Sequence, residues 1–149
     1  MLQDYPNTQL FIDGEWRDSV SKETLEIINP ATEEVIGKLS HARKEDLDIA
    51  LNAADKAFQG WKNVSAYERS KVLRKAADLV RERADYIAKL MTMEQGKPLV
   101  EAKMETLGAA DSIDWYAEEG RRAYGRIIPS RAQGIYQFVF KEAVGVVAA

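Results

Sequence analysis

The chain has 149 residues, one histidine, no cysteine and a net charge of −3. Without a thiol it has no disulfide, cysteine nucleophile or Cys-ligated zinc, and His41 alone argues against a Ser-His-Asp triad or a multi-His metal site. Acidic and basic residues are mixed without a basic run, so no nucleic-acid partner is indicated. Apolar runs stay far below the ~20 residues of a membrane-spanning helix, and no signal-peptide core is present. We expect a soluble cytoplasmic protein with no membrane partner.

Two hairpins are predicted near the N-terminus. Asp13-Gly14 separates the short β-forming stretches between Leu10 and Trp16, and this dipeptide is typical of a type I′ turn, in which both central residues need φ > 0. A second hairpin is predicted from Thr24 to Leu39, with its turn starting at Asn29-Pro30.

Helical periodicity follows. Apolar residues recur at helical spacing from Leu47 to Trp61, which predicts a helix from about Lys44 to Gly60. Ser65 and Glu68 form a capping-box pattern that opens a second helix. Its apolar stripe continues toward Gly96, and the pattern is compatible with a break near Arg83.

A sharp corner between two helices is predicted at Gly96. Glycine suits the left-handed position after a helix, and Pro98 suits the first position of the next helix. That next helix is predicted to run for roughly 25 residues to Tyr124, because no proline interrupts it. It contains Gly108 and Gly120, each costing up to ~1 kcal/mol relative to alanine. Ordinary packing and the close approach of a backbone or ligand both remain open as reasons.

The C-terminal part changes character after Gly125. After a turn at Gln133-Gly134, aromatic residues alternate with others in a strand whose aromatic face needs covering, within the chain or by another subunit; they are Tyr136, Phe138 and Phe140. Residues 143–149 are an unbroken small apolar run, typical of a strand buried on both faces of a parallel sheet. Since no crossover helix follows, we infer the N-terminal part of a larger α/β protein.

Four segments carry a resemblance to a known family. They read FIDGEW, INPATEEVIG, MEQGKPLVEAKMET, and WYAEEGRRAYGRIIPS followed by FKEAVGVVAA. In this order the chain resembles the N-terminal segment of NAD(P)-dependent aldehyde dehydrogenases, in particular those acting on succinate semialdehyde and related semialdehydes.

The resemblance implies a fold and a division of the chain. The intact protein is expected to be α/β, and this fragment mostly α-helical with two N-terminal β-hairpins and a C-terminal β arm. Residues 1–125 would supply hairpins and helices of an incomplete cofactor-binding domain, residues 126–142 an oligomerisation arm, and residues 143–149 the first strand of the nucleotide-binding sheet. A homo-oligomer, dimer or tetramer, is expected of the intact enzyme. The apolar helix stripes would then contact the missing domain or a second copy.

The resemblance also implies chemistry. In this family a cysteine thiolate attacks the aldehyde, hydride passes to NAD or NADP, and a glutamate activates water to release the acid. The cysteine, the glutamate, the oxyanion-hole asparagine and the cofactor sheet are all expected after Ala149. We therefore expect an enzyme that oxidises a short semialdehyde, and a fragment that is itself inactive and binds no cofactor. The alternative is a self-contained helical scaffold or interaction module without catalysis.

Three groups of candidate site residues follow from the resemblance. A substrate-tunnel face on the long helix, spaced i, i+3, i+4 and i+7, would comprise Gly108, Asp111, Ser112 and Trp115. For Trp115 a core position is equally open, and arginines recognising a substrate carboxylate are expected downstream. A monovalent cation would be held by the carbonyl of Ile28, the side chain of Glu94 and a ligand beyond Ala149. For Glu94 a solvated or corner-stabilising role is the alternative. The oligomer arm would present Tyr136, Phe138 and Phe140.

Overall fold

The computed structural model describes residues 5–149, which form four helices and three two-stranded antiparallel sheets. The helices are α1 (Lys44–Trp61), α2 (Ala66–Glu82), α3 (Ala84–Gln95) and α4 (Leu99–Glu119), with a 3₁₀ turn over Gly120–Arg122. The strands are β1 (Leu10–Ile12), β2 (Glu15–Arg17), β3 (Thr24–Ile28), β4 (Val35–Ser40), β5 (Arg126–Ile128) and β6 (Gln137–Val139). The predicted combination of helices, two N-terminal hairpins and a C-terminal β arm is confirmed.

The first hairpin pairs β1 with β2. Asp13 and Gly14 have φ values of 54° and 82°, as a type I′ turn requires. Across the strands Phe11 lies opposite Trp16, with ring centroids 4.9 Å apart. The local signal in the sequence was sufficient to predict this hairpin.

The second hairpin pairs β3 with β4 and has a register shift between Ile27 and Ile28. Its turn is stabilised by Asn29, whose Oδ1 accepts a hydrogen bond from Ala31 N at 2.9 Å, an Asx-type turn. The chain before β1 joins the edge of this hairpin, because Thr8 bridges to Leu39. The segment around Thr8 therefore lies beside β4 as a short third segment of this hairpin.

Helices α2, α3 and α4 pack through small side chains. The residues with no exposed surface here are Ala77, Ala88, Ala102 and Ala110. The buried Thr106 on the same helix donates to the carbonyl of Ala102 at 2.8 Å, so its hydroxyl is satisfied. Small residues let helices approach closely, while several longer apolar side chains, such as Val72, Val100 and Met104, point outward and are exposed.

The outward-pointing side chains leave a large surface. The chain exposes 11820 Å², whereas a compact monomer of 16.8 kDa exposes about 7,600 Å² by the usual mass scaling. In α1, Leu47 and Leu51 of the predicted apolar stripe are exposed. The stripe is present, but residues 5–149 leave much of it uncovered.

The corner between α3 and α4 forms with small corrections. Gly96 has φ of 73°, as predicted. Pro98 occupies the N-cap and not the first helical position, with ψ of 137° that directs the chain into Leu99. The break near Arg83 is present, since this residue separates α2 from α3 with φ of −98° and ψ of 8°.

The long helix is shorter than predicted. It ends at Glu119, and Gly120 starts the 3₁₀ turn instead of lying inside an α-helix that reaches Tyr124. Glycine loses more backbone entropy in a helix than any other residue, so the α-helix gives way there. The expected helical interior at Gly120 was therefore wrong.

The C-terminal segment pairs β5 with β6 after a turn in which Gly134 has φ of 78°. Residues 143–149 form no strand in the structure, and Val144 is 91% exposed. The predicted doubly buried strand is thus not formed by this chain, because no strand among residues 5–149 pairs with it. Its place in a nucleotide-binding sheet stays a prediction.

Candidate functional site

The outer face of α4 carries the four residues predicted to line a substrate tunnel. Trp115 is 68% exposed, so within residues 5–149 it is not a core residue. Together with Asp111 it lines a shallow depression, whose other residues are Asp114, Glu118, Glu119 and Arg122. Gly108 and Ser112 do not line it. The structure therefore brings together two of the four predicted residues.

The other two residues contact each other within the helix. Ser112 Oγ donates to the carbonyl of Gly108 at 3.0 Å. A Cβ built on Gly108 would meet no heavy atom within 4 Å, and the same holds for Gly120. Within residues 5–149, no backbone approaches closely enough to require either glycine. At Gly108 this leaves an open notch beside Ser112.

Arg81 on α2 neutralises part of this face. Its guanidinium lies 2.8 Å from Asp111 Oδ1 and 2.7 Å from Asp114 Oδ2. The hydrogen bonds to these two carboxylates raise the pKa of Arg81 above its ordinary value, and the bond to Asp111 has the larger effect. Asp111 is therefore committed to an ion pair between α2 and α4.

Arg81 was missed from the sequence, although a signal existed. Arg74 and Arg81 are seven residues apart on α2, as Asp111 and Glu118 are on α4, and such spacing places each pair on one helix face. In the structure Arg74 forms an ion pair with Glu118. Two basic and two acidic positions at matching intervals indicate antiparallel helices joined by charge.

The α3–α4 corner holds Glu94, one of the two residues predicted to bind a cation. Tyr5 donates a hydrogen bond from its hydroxyl to Glu94 Oε2 at 2.8 Å. Burial, and then the bond to Glu94, raise the pKa of Tyr5 to about 12. A Cβ built on Gly96 would lie 3.0 Å from Pro30 Cγ. The turn that follows Ile28 therefore touches the corner that follows Glu94.

Sequence reasoning missed two buried or partly buried polar groups. One is Tyr5, whose partner lies far away along the chain. The other is Asp46, which is 1% exposed and accepts hydrogen bonds from Val20 N and Arg43 N, both at 2.9 Å. Both hydrogen bonds lower the pKa of Asp46, and the bond from Arg43 N has the larger effect. An acid in the first helical turn was the only available signal.

No group of three or more His, Asp or Glu side chains suited to a metal ion occurs in residues 5–149. Oxygen atoms are the right donors for a hard cation, and Glu94 retains a second carboxylate oxygen beside the one bonded to Tyr5. The cation site at Ile28 and Glu94 stays a prediction.

A basic cleft lies between the end of α1, the start of α2 and residues 141–145. Its volume is about 520 Å³, and its charged lining residues are Lys62, Arg69, Arg121, Lys141 and Glu142. Three of these cations already have partners in the protein, and Lys62 donates to Gln59 Oε1 at 2.8 Å. Arg69 donates to the carbonyl of Val64, and Arg121 pairs with Glu118 at 3.2 Å. The positive charge of the cleft is thus partly offset from within.

The predicted oligomer arm presents its aromatic face to solvent. Tyr136, Phe138 and Phe140 are 79%, 56% and 78% exposed. The rings of Phe138 and Phe140 stack with centroids 6.3 Å apart. The described part of this chain does not cover this face.

In the described range, no helix combines the length and the apolar character needed to cross a membrane.

Known proteins are similar to this chain over the stretch that contains these motifs. The model of the "Aldehyde dehydrogenase family" matches residues 16–149. The chain is 46% identical to 4-(hydroxymethyl)benzenesulfonate dehydrogenase TsaD1 of Comamonas testosteroni, over 97% of this chain and 30% of that protein. It is 40% identical to succinate-semialdehyde dehydrogenase [NADP(+)] GabD of Escherichia coli, over 95% of this chain and 29% of that protein.

A solved structure gives the same result in three dimensions. Betaine aldehyde dehydrogenase of Staphylococcus aureus, as a double mutant in complex with NAD⁺, superposes with a TM-score of 0.86 at 33% identity. The match covers 91% of this chain and 27% of that one. The chain thus spans about 30% of the length of the curated relatives that it matches. It belongs to the aldehyde dehydrogenase family.

Proposed function

We propose that this chain is the N-terminal segment of an enzyme that oxidises a short semialdehyde to the acid with NAD⁺ or NADP⁺. The observation that carries the proposal is the family match through residues 16–149, which includes the last residue of FIDGEW and the other three motifs in full. The E. coli relative is named for succinate semialdehyde and NADP⁺, and the S. aureus structure contains NAD⁺. Both support a nicotinamide cofactor, without choosing between the two.

The substrate that we propose carries a negative charge at the end remote from the aldehyde. Succinate semialdehyde has a carboxylate there, and the substrate in the name of the Comamonas relative has a sulfonate. Each of the four acids lining the depression on α4 is paired with an arginine, and the arginine in that lining, Arg122, is itself paired with Glu119. The α4 face would therefore contribute shape, through Trp115 and the notch at Gly108, while the charge is recognised elsewhere.

We propose that residues 1–149 alone are inactive. The family mechanism needs a cysteine thiolate, and this chain has no cysteine. The helices would instead form part of the cofactor-binding domain, with residues 143–149 as its first nucleotide-binding strand. The corner would contribute Ile28 and Glu94 to a monovalent cation site, and residues 126–142 would join subunits in a homo-oligomer.

The self-contained scaffold is supported less well. A module that folds and works alone would cover its apolar surface, whereas large side chains on all three hairpins and on α4 are exposed. The exposed area favours a segment that contacts further protein.

The proposal is tested by a chimera. Residues 1–149 would replace the aligned segment of the E. coli succinate-semialdehyde dehydrogenase, and purified chimera and isolated chain would be assayed with NAD⁺ and NADP⁺. Substrates would be succinate semialdehyde, an aromatic sulfonate aldehyde and neutral butanal. We expect turnover by the chimera with an anionic aldehyde preferred, and none by the isolated chain. Turnover by the isolated chain, or a folded but inactive chimera, would refute the proposal.

The role of α4 is tested in the same chimera. Trp115→Ala should raise KM for the preferred aldehyde several-fold more than it changes kcat, because it removes a wall and no reacting group. Trp16→Ala is the matched control, since Trp16 is also exposed but lies on the first hairpin. Equal effects of the two changes would remove Trp115 from the substrate path.

A further inference from the structure

The segment before β1 is held along the second hairpin by backbone hydrogen bonds. Thr8 N donates to the carbonyl of Lys38 at 2.8 Å, and Ser40 N donates to the carbonyl of Thr8 at 2.8 Å. In addition, Lys38 N donates to Asn7 Oδ1 at 3.1 Å. These three bonds fix the position of Tyr5 relative to β4.

From this position Tyr5 reaches two separate elements. Its ring lies over Gly37, where a Cβ would come within 2.7 Å of the ring atom Cδ1. Its hydroxyl donates to Glu94 Oε2 on α3 at 2.8 Å. Only glycine leaves room for the ring on this part of β4, so Gly37 and Tyr5 are matched.

Few described interactions other than the bond to Glu94 join the second hairpin to α3. Within residues 5–149 this bond is the one side-chain hydrogen bond that joins the second hairpin, or the segment along its edge, to α3. Near this bond, Pro30 lies beside Gly96, with its Cγ 3.0 Å from the position that a Cβ on this glycine would take. An apolar contact of one ring does not fix an orientation, whereas a hydrogen bond with a fixed donor and acceptor does.

We propose that Tyr5, Gly37 and Glu94 form a clasp that positions the second hairpin on the α3–α4 corner. Tyr5 is the positioning residue: its ring is seated by Gly37, and its hydroxyl ties that seat to Glu94. The clasp needs no substrate and no cofactor, and it shares Glu94 with the proposed cation site.

The chemistry of the three residues agrees with this role. A phenol donating to a carboxylate makes a charge-assisted hydrogen bond, which is stronger than one between neutral groups. A phenol, whose ordinary pKa is about 10, is protonated and so able to donate at every pH near neutrality. Phenylalanine at position 5 would keep the ring on Gly37 and lose only the tie to α3.

The test is hydrogen exchange of the chain, followed by mass spectrometry on peptides. Three variants open the clasp in different ways: Tyr5→Phe removes the donor, Glu94→Ala removes the acceptor, and Gly37→Ala displaces the ring. The matched control is Tyr136→Phe, which removes an exposed hydroxyl on the third hairpin. The same variants in the chimera give a second measurement if the isolated chain aggregates.

We expect each variant to speed exchange in β3 and β4 by roughly three- to tenfold, the effect of one lost hydrogen bond, with α2 and α4 unchanged. Tyr5→Phe combined with Glu94→Ala should be no faster than either alone, because both remove the same bond. Additive effects, unchanged exchange in the hairpin, or an equal effect of Tyr136→Phe would overturn the clasp. A chimera without any of these substitutions that is inactive although its β3 and β4 are protected from exchange would count against the proposed function and not against the clasp.

Discussion

Replacing Gly96 by alanine should be among the more damaging single-methyl changes in this chain. Gly96 has φ of 73°, a conformation that costs an L-residue about 1–2 kcal/mol. The new methyl would also lie 3.0 Å from Pro30 Cγ, closer than comfortable contact. We expect a total loss of about 2–3 kcal/mol in the free energy of unfolding.

The two parts of this loss are separated by a matched variant. Gly14 has φ of 82°, and a Cβ there would meet nothing within 4 Å. Gly14→Ala therefore carries the backbone cost alone, and the excess of Gly96→Ala over it measures the contact with Pro30. Urea denaturation followed by circular dichroism gives both free energies. Equal losses for the two variants would refute the argument that the hairpin turn rests on the corner, as would a failure of Pro30→Ala to relieve the excess.

Three further changes probe the helices. Gly108→Ala should raise the free energy of unfolding by up to ~1 kcal/mol in a thermal melt, because the methyl enters open space and glycine is a poor helix former. Ala110→Leu should lower it by about 1–3 kcal/mol, since this position has no exposed surface, and a neutral effect in urea would contradict the close helix packing. Asp46→Asn should flatten the acid side of a stability–pH curve. Because the pKa of Asp46 is lower in the folded chain than in the unfolded chain, Asp46 contributes stability above its unfolded pKa, and this stability is lost as the pH falls through its folded pKa. If the stability–pH curves of wild type and variant run parallel at acid pH, the prediction is refuted.

Features set by local backbone chemistry were predictable from the sequence. Asp13-Gly14 and Gly96 each need φ > 0, and that need is visible in a few consecutive residues. Periodicity likewise located α1, α2 and α3, and the absence of proline located α4, but periodicity tells which residues share a face and not what covers that face. Leu47 and Leu51 were thus grouped correctly and are nevertheless exposed, while the interior between helices is built from alanines that carry little hydrophobic signal.

Two of the missed site residues, Tyr5 and Arg81, have partners that are distant in the chain, whereas Asp46 has one near partner, Arg43 N, and one distant partner, Val20 N. Tyr5 meets Glu94, and Arg81 meets Asp111, across separations that no local pattern encodes. The segment at 143–149 failed as a strand for a related reason. A strand needs a neighbour to complete its hydrogen bonds, and the described chain offers none there.

The charged pairs between α2 and α4 solve a problem that the alanines create. A seam of equally small side chains fits almost as well when one helix slides along the other by a turn, about 5.4 Å. The ion pairs between the two helices, by contrast, are not all kept after such a slide. A slide of four residues one way would place Arg81 opposite Leu107, and the other way it would place Arg74 opposite Arg122. Either shift loses a salt bridge, so the charges select one alignment from several that shape alone would permit.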